Sequence, residues 1–239
     1  MMAIEAITIA QLGDQENDLL AQNVTKYRKI YAFANDALSL LSTGITGYSE
    51  SRRAFGAYLA QIVINVSLAL LSGLRQHRTQ VYSNLRHALE HTALAAYALA
   101  NPKDPYFAGD ANESDHDKFM SQNVYKWIRK HYQKDSTEIH RIKNLINKDH
   151  AHANIIHAMR NVKSFDGAVL VVSVDFFDKP EQRFINADLF HTGYVALLAL
   201  NMIRNVNNAS PALRIIDGFD AEYQRLFRIG DAIVFEFGG

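Results

Sequence analysis

The chain has 239 residues, no cysteine, and 25 Lys and Arg against 25 Asp and Glu. That length, with 48% hydrophobic residues, is enough for one domain with a large core, and the missing cysteines exclude a disulfide framework, thiolate zinc ligands and a cysteine nucleophile. A formal net charge of zero gives no global attraction to nucleic acid or anionic membrane.

The N-terminal MMAIEAITIAQLGDQENDLL lacks the basic leader and long apolar core of a secretory signal. With the absence of cysteine, this sets the expectation of a cytoplasmic protein. Residues 14–42 carry Leu19, Leu20, Val24, Tyr27, Ile30, Tyr31, Ala34, Leu38 and Leu41 at helical spacing. TGITGYS reads as a loop, and Ser49 or Ser51 as the cap of a helix that runs to Arg78. Within it, Ala54 to Leu74 holds no charged residue and is long enough to span a bilayer. Gln61, Asn65, Ser67, Ser72 and two glycines favour a buried bundle helix over a membrane span.

A further helix is expected over Thr79 to Ala100, followed by the polar loop NPKDPYFAGDANESD. Helices are expected again near 115–132, 135–147 and 151–162. Lys118 to Lys148 holds eight Lys or Arg and two acids, a pattern that suits a solvated helix face or a polyanion contact. GAVLVVSVDFF, from Gly167 to Phe177, reads as a strand, DKPEQ as a turn and RFIN as a short returning strand. Asp188 to Val206 returns to helix. From Asp217 a short helix is expected, then AIVFEF as a third strand or extended arm. The order of elements lacks the helix–strand alternation of a parallel α/β sheet. The expectation is mainly α: a single domain over 1–239, a helical bundle with a small β-hairpin near 168–186.

The stretch richest in chemistry is RHALEH, Arg86 to His91. On a helix Arg86 and Glu90 share one face, and His87 and His91 share a neighbouring one. One reading is an ion pair within a polar seam of the bundle. Another is a metal-independent site for RNA cleavage. There His91 would move the proton of the ribose 2′-hydroxyl and Arg86 would stabilise charge on the scissile phosphate. The two lie roughly 140° apart on an ideal helix, so they meet only at a helix end or across a dimer axis.

Arg-x4-His with a polar second position resembles the signature of the HEPN superfamily of all-helical domains. Arg86 matches its arginine, His87 the polar position and His91 its histidine. The resemblance implies a helical fold, a homodimer with a composite site, and metal-independent endoribonuclease activity of toxin–antitoxin or phage-defence type. RNA would be the substrate and an antitoxin-like protein a partner. The motif of such nucleases usually lies late in the domain; here it precedes the midpoint of the chain. A second resemblance covers more of the chain, to an uncharacterised bacterial family with an HEPN-like bundle. It rests on Arg86, Glu90, the INKDHAHAN stretch around His150 and His152, residues 168–186, and the helix from Asp188. That family implies no activity. The alternative to a nuclease is therefore a non-catalytic module in which Arg86–Glu90 is structural and the protein binds a partner or small anion.

DHAHANIIH sets His150 and His157 on one helical face with Asn154 between them, and it is a weaker candidate for metal. No HExxH or paired ExxH spacing supports it, so no metal or other cofactor is expected. His150 or His152 folding back onto Arg86 and Glu90 is the other role for this stretch. DANESDHDK lacks calcium-loop spacing, no glycine-rich phosphate loop follows a strand, and no nucleophile elbow is present. Val124, Trp127, Ile128 and Tyr132 form a packing stripe rather than a base-stacking platform.

Overall fold

The computed structural model describes residues 8–108, 116–149, 162–163, 173–174 and 181–237. Helix α1 (Ile9–Lys26) opens with a reciprocal cap. Thr8 Oγ1 accepts from the Gln11 backbone N–H, and the Gln11 side chain accepts from the Thr8 N–H. The helical run expected over 14–42 is two helices, because Tyr27 leaves the helical conformation between α1 and α2 (Arg28–Thr43). Ile30, Phe33, Ala34, Ala37, Leu40 and Leu41 bury one face of α2.

TGITGYS is not a loop throughout. Ile45–Tyr48 forms β1, which pairs antiparallel with β4 (Leu213–Ile215), matching Ile45 to Ile215 and Tyr48 to Leu213. A short 3-10 turn, Glu50–Arg52, leads into α3 (Arg53–Leu74), and Ser49 makes no side-chain cap bond there. At Gly56 on α3 the Tyr48 ring from the end of β1 lies where a Cβ would sit, so a larger residue there would push that exposed side chain aside.

Helix α3 and α4 (Arg78–Ala100) form an antiparallel pair at the centre. The continuous apolar run of α3 divides into two faces. Phe55, Ile62, Val66, Ala69, Leu70 and Leu74 enter the core, while Ile64, Leu68 and Leu71 face outward at 47%, 45% and 38% exposure. Among the described residues this is the one helix long and apolar enough to cross a membrane, and its buried face is an ordinary bundle face. Helix α4 is buried almost continuously from Ala88 to Leu99, apart from the Glu90–His91 step.

The basic region is helical as expected. Helix α5 (His116–Phe119) runs through a π turn at Met120–Val124 into α6 (Tyr125–His131), and α7 (Gln133–Asp149) follows. Trp127 packs edge-on against Tyr97, 5.5 Å between ring centroids, in keeping with a packing role. The small hairpin is placed differently from the expectation. β2 (Val162–Lys163) pairs antiparallel with β3 (Ser173–Val174), so the partner of the valine-rich strand lies upstream of it, at the end of a segment read as helix. The rest of 150–180, including most of the expected 151–162 helix, lies outside the described residues.

RFIN is not a returning strand. It belongs to α8 (Gln182–Ala209), whose buried Ile185, Leu189, Thr192 and Ala196 continue one helical stripe. AIVFEF is not a strand or arm either; it ends α9 (Phe219–Phe237). There Phe219, Tyr223, Leu226 and Ile233 keep helical spacing, and packing of that stripe overrides the β-propensity of Val and Phe. Helix α8 lies against α2, α3 and α4, and α9 closes over α2 and α8. The fold is a mainly helical bundle with small antiparallel pairs at its margin.

Candidate functional site

Helix α4 carries the polar stretch RHALEH, and its residues turn toward two different neighbours. Arg86 and Glu90 face α7. Arg86 Nε lies 3.4 Å from Glu90 Oε1, and Arg86 Nη1 donates to Asn147 Oδ1 at 2.9 Å. Lys143 Nζ donates to the same Glu90 oxygen at 2.9 Å and to the Tyr125 hydroxyl at 2.7 Å. Burial pushes the Glu90 carboxyl up, but the hydrogen bond and charge of Lys143, then those of Arg86, outweigh it and hold it below the usual range. The carboxylate therefore sits between two cations, with side chains 39% exposed at Arg86 and 30% at Glu90.

His91 faces α3. Its Nδ1 lies 3.3 Å from Asn65 Nδ2, which also donates to the Gln61 carbonyl at 2.7 Å. The amide donates, so Nδ1 accepts and the ring proton sits on Nε2. The imidazole stacks on Tyr58, with centroids 6.1 Å apart and planes at 26°. Burial, then the charges of His87 and His116, lower the His91 pKa against the opposing effect of Glu90. His91 is thus neutral at physiological pH. His87 is exposed, one turn away on the same helix. His116 Nδ1 meets the Tyr106 hydroxyl at 2.7 Å.

Within one chain Arg86 and His91 do not converge. Arg86 is engaged by Glu90 and Asn147, while His91 is engaged by Asn65 and Tyr58 on another helix. Asn147, the second residue of INKDHAHAN, is the member of that stretch that bonds Arg86; the contact expected of His150 or His152 falls outside the described residues. His150, His152, Asn154 and His157 lie outside the described residues. Among the described residues no three His, Asp or Glu side chains gather as a metal site.

Among the described residues, the most buried ion pair lies elsewhere on α4 and was not singled out in the sequence. Arg78 Nε donates to both oxygens of Asp188 on α8, at 3.2 and 2.9 Å. Both side chains are nearly inaccessible, at 8% and 2%. The Tyr82 hydroxyl donates to Asp188 Oδ1 at 2.8 Å and lies 3.2 Å from His191 Nδ1. Its proton being committed to Asp188, it accepts from a protonated Nδ1. Burial, then the nearby charges of Arg141 and Arg78, hold His191 at about 4, so the ring is neutral. Beside it, Glu138 accepts from Arg141 Nε and Nη2 at 2.9 and 2.7 Å and from the Tyr194 hydroxyl at 2.5 Å. A third junction joins α7 to α8, where Asn201 and Asn205 donate to the two oxygens of buried Asp135 at 2.7 and 2.9 Å. These groups are mutually satisfied and lock helices together. Arg78 opens α4 and Asp188 lies in the second turn of α8, and their pairing across 110 positions carries no local periodicity that a sequence could show.

Compared with protein-family models, with curated proteins and with solved structures, the chain matches none of them.

Proposed function

We propose that the chain is an HEPN-like helical module, acting in the cytoplasm, in which RHALEH is a structural seam rather than an active centre assembled within one chain. The observation that carries this reading is the divergence of Arg86 and His91. The arginine is spent on Glu90 and Asn147, and the histidine on Asn65. A phosphate would have to displace a carboxylate and an amide to reach the guanidinium fork.

The module would act by binding, and α3 offers a self-complementary face. Along its exposed stripe stand Ala57, Ala60, Gln61, Ile64, Leu68 and Leu71. A second copy crossing antiparallel about a two-fold axis at Ile64 sets Ala57 opposite Leu71 and Ala60 opposite Leu68. Small residues then receive large ones, with Gln61 beside Ser67. No charge interrupts the stripe. A homodimer through α3 is the assembly this supports, with room for a protein partner such as an antitoxin elsewhere.

A second reading has its own observation. His91 is neutral at physiological pH, as a general base requires, and its holders Asn65 and Tyr58 border the same α3 stripe. This is the metal-independent endoribonuclease of defence or toxin type, with RNA as substrate.

Purified wild type, Arg86→Ala and His91→Ala, each checked for folding by circular dichroism, are incubated with total RNA in EDTA. The seam predicts no cleavage by any form and a modest loss of thermal stability in Arg86→Ala. Cleavage by wild type, lost in both folded variants, would replace the seam with the nuclease.

A further inference from the structure

A cavity of about 410 Å³ opens between α2, α8 and α9, away from RHALEH and independent of its reading. Ile30, Phe190, Ile233 and Val234 form apolar walls. Polarity runs along its α8 side. Gln182, Arg183 and Asn186 stand at the helix N-terminus, and Ala187 and Phe190 lie one to two turns deeper.

Asn186 is the unusual member. It is 7% exposed and lines the cavity, yet its amide makes no side-chain hydrogen bond among the described residues. Neither of its amide atoms is among the fully enclosed unpartnered atoms of the described residues, so the polar end of this buried residue opens into the cavity, where a ligand can take its hydrogen bond. The first turn of α8 adds donors. Glu181 makes no side-chain cap bond, and no described group accepts from the N–H of Gln182 or Arg183. Those groups and the positive end of a 28-residue helix favour an anion. Arg183 stands at the mouth, held by Glu181 at 3.0 Å but with its side chain 71% exposed. Such an exposed pair is weak and exchanges its partner at little cost.

We propose that this cavity binds one amphipathic monocarboxylate with an unbranched apolar tail. The head sits at the first turn of α8, taking hydrogen bonds from the Asn186 amide and the backbone N–H groups of Gln182 and Arg183, with Arg183 closing over it. The tail lies between Phe190, Ile30 and the α9 residues Ile233 and Val234. At about 30 Å³ for each carbon-sized group the cavity holds roughly a dozen non-hydrogen atoms, which matches a medium-chain fatty acid and falls within the size range of ligand pockets.

The test is isothermal titration of the full chain with sodium decanoate below its micellar concentration, with decan-1-ol and acetate as companions. We expect saturable one-to-one binding of decanoate, about tenfold tighter than decanol, and none of acetate. Asn186→Leu should weaken decanoate several-fold, and Ala187→Trp should abolish binding by filling the cavity. If Ala187→Trp fails to fold, Val234→Trp, at a site 51% exposed, fills the same space from the other wall. Absence of saturable binding, equal binding of decanol, or binding that survives the folded tryptophan variant would overturn the proposal.

Discussion

Replacing Arg78 with alanine removes the cation that neutralises Asp188, at a site where both side chains are closed to solvent. Asp188 would keep the Tyr82 hydroxyl at 2.8 Å but lose both contacts to the guanidinium. Breaking one side of a buried pair costs about 3–5 kcal/mol, because the remaining charge loses the partner that offset its burial. In a chain of this size each kcal/mol moves the melting temperature by about 2–4 °C. Arg78→Ala should therefore melt roughly 6–20 °C below wild type. Arg86→Ala removes a more exposed guanidinium from an ion pair of a kind worth about 1 kcal/mol or less, so it should shift melting by only a few degrees. Calorimetry and urea unfolding followed by circular dichroism measure both. Changing both partners, Arg78→Leu with Asp188→Leu, should recover most of the loss, since apolar replacement of a whole buried pair is often neutral. If Arg78→Ala melts within about 2 °C of wild type, or no lower than Arg86→Ala, then this buried network does not hold the bundle together.

Three further outcomes follow from other parts of the molecule. His191, held at about 4 against an ordinary 6.5, binds its proton more readily when unfolded, so stability is full above about pH 6.5 and drains as pH falls toward 4; the loss is roughly 3 kcal/mol. His191→Phe should flatten that part of the urea-midpoint profile by about one proton, and an unchanged slope would assign the acid sensitivity to other groups. Gly193→Ala places a Cβ 2.6 Å from the Phe33 ring and 3.0 Å from the Ala34 backbone. The clash should cost about 1–3 kcal/mol and outweigh the gain in helix propensity, whereas a raised melting temperature would show that α2 and α8 separate easily. Ile64→Lys, on an exposed position, should leave the fold intact and turn a dimer into a monomer by light scattering; a dimer that persists would place the interface away from α3.

The elements legible in the sequence were those whose apolar residues repeat at helical spacing over several turns. These are α2, α4, α7 and the body of α8. Errors fell where the deciding partner is remote. Ile45 to Tyr48 shows no pattern of its own and becomes a strand only because Leu213 to Ile215 lies beside it. RFIN and AIVFEF are rich in strand-forming residues, but each continues a helical stripe that is visible only when the neighbouring residues are counted with it. Among polar residues, attention to a dense motif found RHALEH and the Arg86–Glu90 pair. The tighter cluster two turns upstream, around Arg78 and Tyr82, passed unremarked because its partners sit on a helix more than a hundred residues later. Density along the chain is visible in a sequence; convergence in space is not.

The pairing of β1 with β4 and the packing of α2 on α8 bear on how the protein is made. About 140 residues separate the end of α2 at Thr43 from the start of α8 at Gln182. At translation speeds of about 5–20 residues per second, α2 waits roughly 7–28 s before its partner is synthesised. Throughout that interval Phe33 lacks the Phe190 and Gly193 surface of α8 that covers it in the folded protein. The nascent chain must shelter that face on α3 or on a chaperone, and its last quarter completes the fold begun by its first.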